Sequence, residues 1–122
     1  MTPLANEILA LAQQTFAPNV YDFLIDVPSA VRGCCCYDTS EHTDAAVTVS
    51  LSADISFDGG ATWIGLGGIT RLAGPNADKD GNAIPYAGFM IDAPFQEPPS
   101  KVRGTLTISG GSLVTSVSVG WQ

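Results

Sequence analysis

The stretch from Val47 to Phe57 alternates strictly between apolar and polar side chains. Its apolar members are Val47, Val49, Leu51, Ala53, Ile55 and Phe57, and the polar residues between them are Thr48, Ser50, Ser52, Asp54 and Ser56. A period of two over this length predicts a β-strand with one buried face and one solvent-facing face. A second β-rich stretch runs from Ala61 to about Leu72. The sequence therefore predicts a long β-hairpin.

The turn that joins these two strands has a specific sequence pattern. Residues Ser56 to Trp63 fit Ser-x-Asp-x-Gly-x-Thr-Trp, and this pattern resembles the Asp-box, a hairpin turn found in sialidase propellers and other β proteins. Asp58-Gly59 supplies a residue that tolerates positive φ, and the Asp58 carboxylate can accept hydrogen bonds from turn amides. The resemblance implies a structural turn. The residues that we expect to form it are Ser56, Asp58, Gly60 and Trp63.

Further strands are expected along the chain at intervals of roughly ten residues, separated by turns rich in Gly, Pro and Asn. Lys101 to Ser109 and Leu113 to Trp121 form a second predicted hairpin across Gly110-Gly111. Short strands with this spacing are typical of sandwiches and jelly rolls. We therefore predict a mainly β fold, an antiparallel β-sandwich of jelly-roll-like character.

The N-terminal segment has a different pattern. Thr2-Pro3 suits the start of a helix, and Pro18-Asn19 suits its end. The apolar residues between them recur at helical spacing, and they are Leu4, Ile8, Leu11, Ala12 and Phe16. We therefore predict one N-terminal α-helix over residues 3–16. The expected division of the chain is an N-terminal helix or arm of residues 1–18 and a β-sandwich domain of residues 19–122.

The charge balance excludes several classes of partner. The 122-residue chain has 12 Asp and Glu against 5 Lys and Arg, a formal net charge of −7. Binding to nucleic acid or to an anionic membrane surface needs a basic face, so neither partner is expected. The apolar run near the N-terminus lacks the positive flank of a signal peptide. We therefore expect the chain to fold in the cytoplasm rather than to be exported by a signal peptide.

No set of residues in the sequence fills the roles of nucleophile, base and oxyanion donor together. His42 is the sole histidine, and its neighbours are typical of a solvated loop. A sialidase would need several Asp-box copies and a cluster of arginines, whereas Arg32, Arg71 and Arg103 are widely spread. We therefore expect no catalytic residue, no enzymatic activity and no organic cofactor.

The three cysteines are consecutive, at Cys34, Cys35 and Cys36. Free cysteine is among the most buried residue types, so the favoured interpretation is small apolar side chains in a strand. The alternative is a metal site formed by Cys34, Cys36 and His42. Zinc sites normally have two paired ligand groups, and a second pair is missing here.

The stretch from residue 76 to 82 has oxygen-bearing side chains at alternate positions. These residues are Asn76, Asp78, Asp80 and Asn82, and Gly81 lies among them. The spacing resembles the first half of an EF-hand loop and implies a calcium site. The loop departs from that pattern because Ala87 occupies the place of the bidentate Glu. Asn, Asp and Gly are also what an ordinary long turn contains, and both interpretations stay open.

These features together describe an acidic, charge-poor β domain with an apolar N-terminal segment and no catalytic set. That combination resembles the decoration, or cement, proteins of tailed-phage virions, which are β-rich and sit on capsid shells, often as trimers. The resemblance covers the texture of the whole chain. It implies a non-enzymatic structural protein of the virion, made in the host cytoplasm, that binds and stabilises the capsid shell. A neck, tail or baseplate component is an alternative within this class.

The resemblance also implies self-association, for which we expect a trimer first and a dimer second. A jelly-roll module that binds carbohydrate or calcium is the alternative from a different class. In that case four aromatic residues would form a platform on which sugar rings stack, and the loop of residues 76–82 would hold Ca²⁺. The four aromatic residues are Tyr37, Trp63, Tyr86 and Trp121. Trp121 shares its alternating phase with Val117 and Val119, which favours burial for this side chain instead.

Overall fold

A computed structural model describes residues 6–27, 34–38, 46–72, 87–90 and 99–121. Within these ranges the chain forms eight β-strands. The strands are β1 (Asn6–Phe16), β2 (Asn19–Asp26), β3 (Cys34–Asp38), β4 (Thr48–Ser56), β5 (Ile64–Leu72), β6 (Ala87–Met90), β7 (Lys101–Ser109) and β8 (Leu113–Trp121). None of the described residues belongs to a helix that is long and apolar enough to cross a membrane.

The strands form two four-stranded antiparallel sheets. Sheet I has the order β1-β8-β3-β6, and sheet II has the order β2-β7-β4-β5. The predicted hairpin of β4 and β5 is present, because these strands pair directly. The second predicted hairpin, Lys101 to Ser109 with Leu113 to Trp121, is wrong, because its strands β7 and β8 belong to different sheets. Eight strands in two facing sheets are the architecture of a jelly roll. The predicted fold class, a mainly β antiparallel sandwich of jelly-roll-like character, is confirmed.

The core lies between the two sheets and is formed by the apolar phase of each strand. On β4 the apolar residues Val49, Leu51, Ala53 and Ile55 are buried, as the alternation predicts, and the polar residues between them are partly or fully exposed. Ser56, at the end of the strand, is an exception and is buried. Strands β7 and β8 add aliphatic side chains from both sheets. The largest side chains with almost no exposure include Leu51, Ile55, Leu106, Ile108, Leu113, Val117 and Val119.

The N-terminal helix predicted over residues 3–16 is wrong, because residues 6–16 are strand β1. This strand pairs with β8 from Asn6 opposite Trp121 to Phe16 opposite Leu113. Helix propensity is a weak preference that tertiary contacts can override. Here β8 needs hydrogen-bond partners for its backbone groups on two sides, and β3 supplies them on one side while β1 supplies them on the other.

The spacing of apolar residues in β1 has a structural reason. Two register shifts, between Leu9 and Leu11 and between Leu11 and Gln14, interrupt the ladder with β8. Irregularities of this kind break the period of two and produce a spacing that imitates a helix. Of the supposed helical stripe, Phe16 is fully in the core, whereas Ile8 is 43% exposed.

The boundary predicted at residue 18 lies between β1 and β2, where the chain passes from sheet I to sheet II. Residues 6–16 therefore contribute an edge strand to the sandwich. The predicted division into an arm of residues 1–18 and a sandwich domain of residues 19–122 stays a prediction.

The buried face of β4 can be tested by placing a charge on it. We expect Ile55→Asp to abolish cooperative folding. An unpaired charge in an apolar core costs several kcal/mol, whereas the free energy of unfolding of a whole domain is only about 5–15 kcal/mol. Ser52→Asp on the outer face of the same strand is the matched control and should melt cooperatively. The measurement is thermal unfolding followed by circular dichroism. An Ile55→Asp protein that melts like the control would contradict the assignment of the two faces.

Candidate functional site

The Asp-box-like turn is closed by side-chain hydrogen bonds. Ser56 Oγ donates to Asp58 Oδ1 at 2.8 Å and accepts from the Gly60 amide at 2.9 Å. Asp58 Oδ1 also accepts from the Thr62 amide at 2.8 Å. This Thr62 amide, with the hydroxyls of Ser56 and Thr62, lowers the pKa of Asp58 to about 2. Three of the four predicted turn residues therefore meet in one hydrogen-bonded cluster, and a purely structural role for the turn stays a prediction.

Ser100 ties this turn to the start of β7. Its hydroxyl accepts from the Gly59 amide at 2.9 Å, and its amide donates to the Ser56 carbonyl at 2.8 Å. Its hydroxyl also donates a hydrogen bond to the Ser56 carbonyl oxygen at 3.1 Å. No local sequence pattern indicates this contact, because Ser56 and Ser100 are 44 positions apart.

Trp63, the fourth turn residue, lies over the outer face of sheet II. The guanidinium carbon of Arg103 is 4.3 Å from the centroid of its ring, within the range of a cation–π contact. Arg103 Nε donates to Asp54 Oδ2 at 2.9 Å. The turn therefore places an aromatic ring above an ion pair that joins β7 to β4.

Two rows of side chains cross the outer face of sheet II. In the first row Asp22, Thr105, Ser52 and Gly68 are successive partners on β2, β7, β4 and β5. In the second row the successive partners are Leu24, Arg103, Asp54 and Gly65. Each row ends at a glycine on β5, so neither row carries a side chain at that end.

Contacts within the rows fix their polar side chains. Thr105 Oγ1 donates to Asp22 Oδ1 at 2.9 Å in the first row, and the Arg103–Asp54 ion pair occupies the second. Within the described part of the chain, neither the hydroxyl of Ser52 nor Nε1 of Trp63 has a protein partner. The rows therefore combine positioned carboxylates with polar atoms that remain available to a ligand.

The two rows and Trp63 border an open groove of about 630 Å³. Ligand sites usually have volumes of roughly 300–1,000 Å³. Between the rows, Phe23, Ala53 and Gly104 form the floor of the groove, and because they belong to the buried phase of their strands their side chains do not fill it. Its ionisable groups are Asp22, Asp54 and Arg103, so two carboxylates face one guanidinium. We take this groove as the candidate functional site.

The groove is not recognisable from the sequence alone. Of the four predicted aromatic residues it contains Trp63, whereas Trp121 is 8% exposed and belongs to the core. Tyr86 and the side chain of Tyr37 lie outside the described part of the structure. The other lining residues come from three strands, and their spacing along the chain gave no signal.

The other residues predicted to form sites are the cysteines, His42 and the calcium ligands. Cys34 and Cys36 of β3 are fully buried in the core, which confirms that these two are small buried side chains. His42 and the predicted calcium ligands Asn76, Asp78, Asp80 and Asn82 lie outside the described residues, so the calcium site stays a prediction. Among the described residues no three His, Cys, Asp or Glu side chains form a group that could hold a metal ion.

Comparisons with known proteins give information on the fold alone. No protein family model and no curated protein matches the chain. Among solved structures, the chain is similar to the viral capsid protein VP2 in a subviral particle of infectious bursal disease virus, with a TM-score of 0.53 and 14% identity. The match covers 93% of this chain but 31% of VP2, so the chain spans about a third of that protein.

Two other neighbours are more distant in structure. The Yersinia pseudotuberculosis-derived mitogen has a TM-score of 0.49 and 14% identity over 94% of this chain and 88% of its own. The carbohydrate-binding module CBM32 of AlyQ, solved with 4,5-unsaturated mannuronic acid, has a TM-score of 0.46 and 12% identity over 95% and 94% of the two chains. The neighbours thus include viral capsid proteins and carbohydrate-binding modules, and at these identities they say nothing specific about function.

The Asp58 cluster predicts an acid-dependent component of stability. Because folding lowers the pKa of Asp58 from 3.8 to about 2, its contribution is complete above pH 3.8 and disappears as the pH falls through about 2. We expect the difference in unfolding free energy between the wild type and Asp58→Asn to be largest above pH 4 and to shrink towards pH 2. Denaturant unfolding of both proteins at several pH values between 2 and 5 measures this difference. A difference in unfolding free energy that does not change with pH would contradict the account.

Glycines 104 and 65 provide a matched pair of substitutions. A Cβ on Gly104 would collide with the ring of Phe23 and lie 2.6 Å from the Ser52 carbonyl oxygen, whereas one on Gly65 would meet Asp54 Oδ1 at 3.7 Å. We expect Gly104→Ala to lower the unfolding free energy by about 1–3 kcal/mol, the usual cost of overpacking. Gly65→Ala should be tolerated. Equal unfolding free energies for the two variants in urea would be inconsistent with this packing.

Proposed function

We propose that this chain is a non-enzymatic structural protein of a virion, of the capsid decoration type, which binds and stabilises a shell. Its jelly-roll fold and its likeness in fold to VP2 are compatible with that role. So is its low content of charged residues, 14% against a usual quarter. The observation that carries the proposal is the surface of strand β1.

Strand β1 is a long edge strand with almost no charge, and two register shifts interrupt its ladder with β8. It has 11 residues, of which Glu7 alone is charged, and one of its sides pairs with β8. Among the described residues no strand pairs with its other side. Ile8 and Leu9 are 43% and 58% exposed. Soluble proteins normally protect an edge strand with charges, prolines or bulges, or cover it with a helix or loop, and an edge that lacks such protection can pair with another chain.

The β2 edge of sheet II differs from β1 in its charge. Strand β2 carries Asp22 and Asp26 on its outward face, and both are exposed. Such charges hinder the approach of a second strand. On the basis of this difference in charge, we propose that association uses β1, through a second copy of this chain or through a shell protein.

The proposal includes a closed homo-oligomer, a trimer first and a dimer second, because symmetric closed assemblies are the usual outcome for identical chains. Its location would be the virion, and its partner a capsid protein. A neck, tail or baseplate position remains the alternative within this class. Nucleic acid is not proposed as a partner, since the net charge is −7.

Paired lysines on β1 test the proposal. We expect the double variant Ile8→Lys/Leu9→Lys to convert a trimer or dimer into a monomer, because charges on an edge strand oppose pairing. Val20→Lys, at an exposed apolar residue of β2, is the matched control and should keep the wild-type mass. Sedimentation velocity over a range of concentrations gives the masses. These substitutions are cleaner than deletion of residues 1–18, which would remove β1 and uncover β8.

Two results would contradict the proposal. One is a wild-type protein that stays monomeric at all concentrations and has no affinity for capsid or tail assemblies. The other is a double variant that associates like the wild type. A monomer whose melting temperature rises with saccharide or Ca²⁺ would instead support the second candidate, a jelly-roll binding module, which the groove on sheet II favours.

A further inference from the structure

We propose that the groove on the outer face of sheet II is a binding site for a neutral saccharide. This inference deepens the second candidate function by naming the residues and the ligand class. It does not depend on association through β1, because the groove and the β1 edge belong to different sheets. A virion protein with such a groove would carry a glycan-binding surface in addition to its contact with the shell.

The groove offers apolar contacts of the kind that the C–H faces of a sugar ring require. Trp63 lies over Arg103 at one side of the second row. Leu24, at the β2 end of the same row, is exposed and lines the groove. A saccharide above the second row would therefore meet Leu24 on one side and, on the other, the exposed part of the Trp63 ring that Arg103 does not cover, with polar groups between them. Ligand sites typically combine apolar walls with a few polar groups in this way.

The polar atoms of the groove include both donors and acceptors, which saccharide hydroxyl groups require. Asp22 Oδ1 is engaged by Thr105 and Asp54 Oδ2 by Arg103, which leaves the second oxygen of each carboxylate as an acceptor. The terminal nitrogens of Arg103 are available as donors, and Ser52 Oγ can donate or accept. A saccharide hydroxyl also donates and accepts, so neighbouring hydroxyls can use both kinds of group at once.

These polar atoms are held in place before any ligand arrives. Thr105 fixes Asp22, and the contact with Trp63 on one side and Asp54 on the other fixes Arg103. Binding then costs little additional side-chain ordering. The side chains also stand on strands rather than on loops, which keeps their spacing constant.

The charge of the groove favours a neutral ligand over an acidic one. Two carboxylates and one guanidinium give it a formal charge of −1, within a chain whose net charge is −7. A uronate or a phosphate would be repelled by this field. A neutral saccharide has no such cost.

Isothermal titration calorimetry of the full-length chain tests the inference. The probes are the neutral disaccharides cellobiose, maltose, lactose and N,N′-diacetylchitobiose, and the acidic probe is digalacturonate. We expect saturable binding of at least one neutral probe and binding of digalacturonate that is at least tenfold weaker. Trp63→Ala and Asp22→Asn should each lower the affinity for the neutral probe at least tenfold. Cooperative melting of both variants shows that they are folded.

Two control variants separate the groove from the rest of the surface. Asp26→Asn removes a carboxylate from the same face outside the groove and should leave the affinity within twofold. Gly65→Leu adds bulk beside Asp54 without removing a polar group and should weaken binding at least tenfold. The β1 variant Ile8→Lys/Leu9→Lys should bind the probe like the wild type, so a failure of the virion proposal would not be mistaken for a failure of this one.

The inference is overturned if no neutral probe binds the wild type, or if digalacturonate binds as tightly as the best neutral probe. It is also overturned if Asp26→Asn weakens binding as much as Asp22→Asn does. That last result would indicate a general charge effect of the acidic face rather than a site.

Discussion

The alternation of apolar and polar side chains along β4 and β7 is the constraint on which both the core and the groove depend. Ile55 pairs with Val102 and faces the core, while Asp54 pairs with Arg103 on the outer face. Since side chains alternate with a period of two, a slip of one residue would exchange the two faces of a strand. The same register that buries the apolar residues therefore brings the carboxylate and the guanidinium of the groove together.

The Asp-box-like turn adds the element that a flat sheet face lacks. Ser56 and Asp58 close the turn, and Ser100 attaches it to the start of β7. As a result, Trp63 stands above Arg103 and forms one wall of the groove. The motif is structural in its hydrogen bonding, but the position it gives to Trp63 makes it part of the candidate site.

Local patterns in the sequence were sufficient to predict the β4–β5 hairpin and the sandwich class. They failed for β1, whose register shifts opposite β8 gave its apolar residues a helical spacing. The groove could not be predicted because its partners are distant along the chain. Asp22 and Thr105 are 83 positions apart, and Asp54 and Arg103 are 49 apart. Only the order of strands in sheet II brings them into one row.

The two tryptophans provide the most direct test of the assignment of the two faces. Trp121 belongs to the core, with its Nε1 atom buried, whereas Trp63 borders an open groove. Hydrogen exchange of the two indole N–H groups, followed by NMR on ¹⁵N-labelled protein, reports on each ring separately. We predict fast exchange for Trp63 and strong protection for Trp121. Similar exchange rates for the two indoles, or protection of Trp63 alone, would contradict the account.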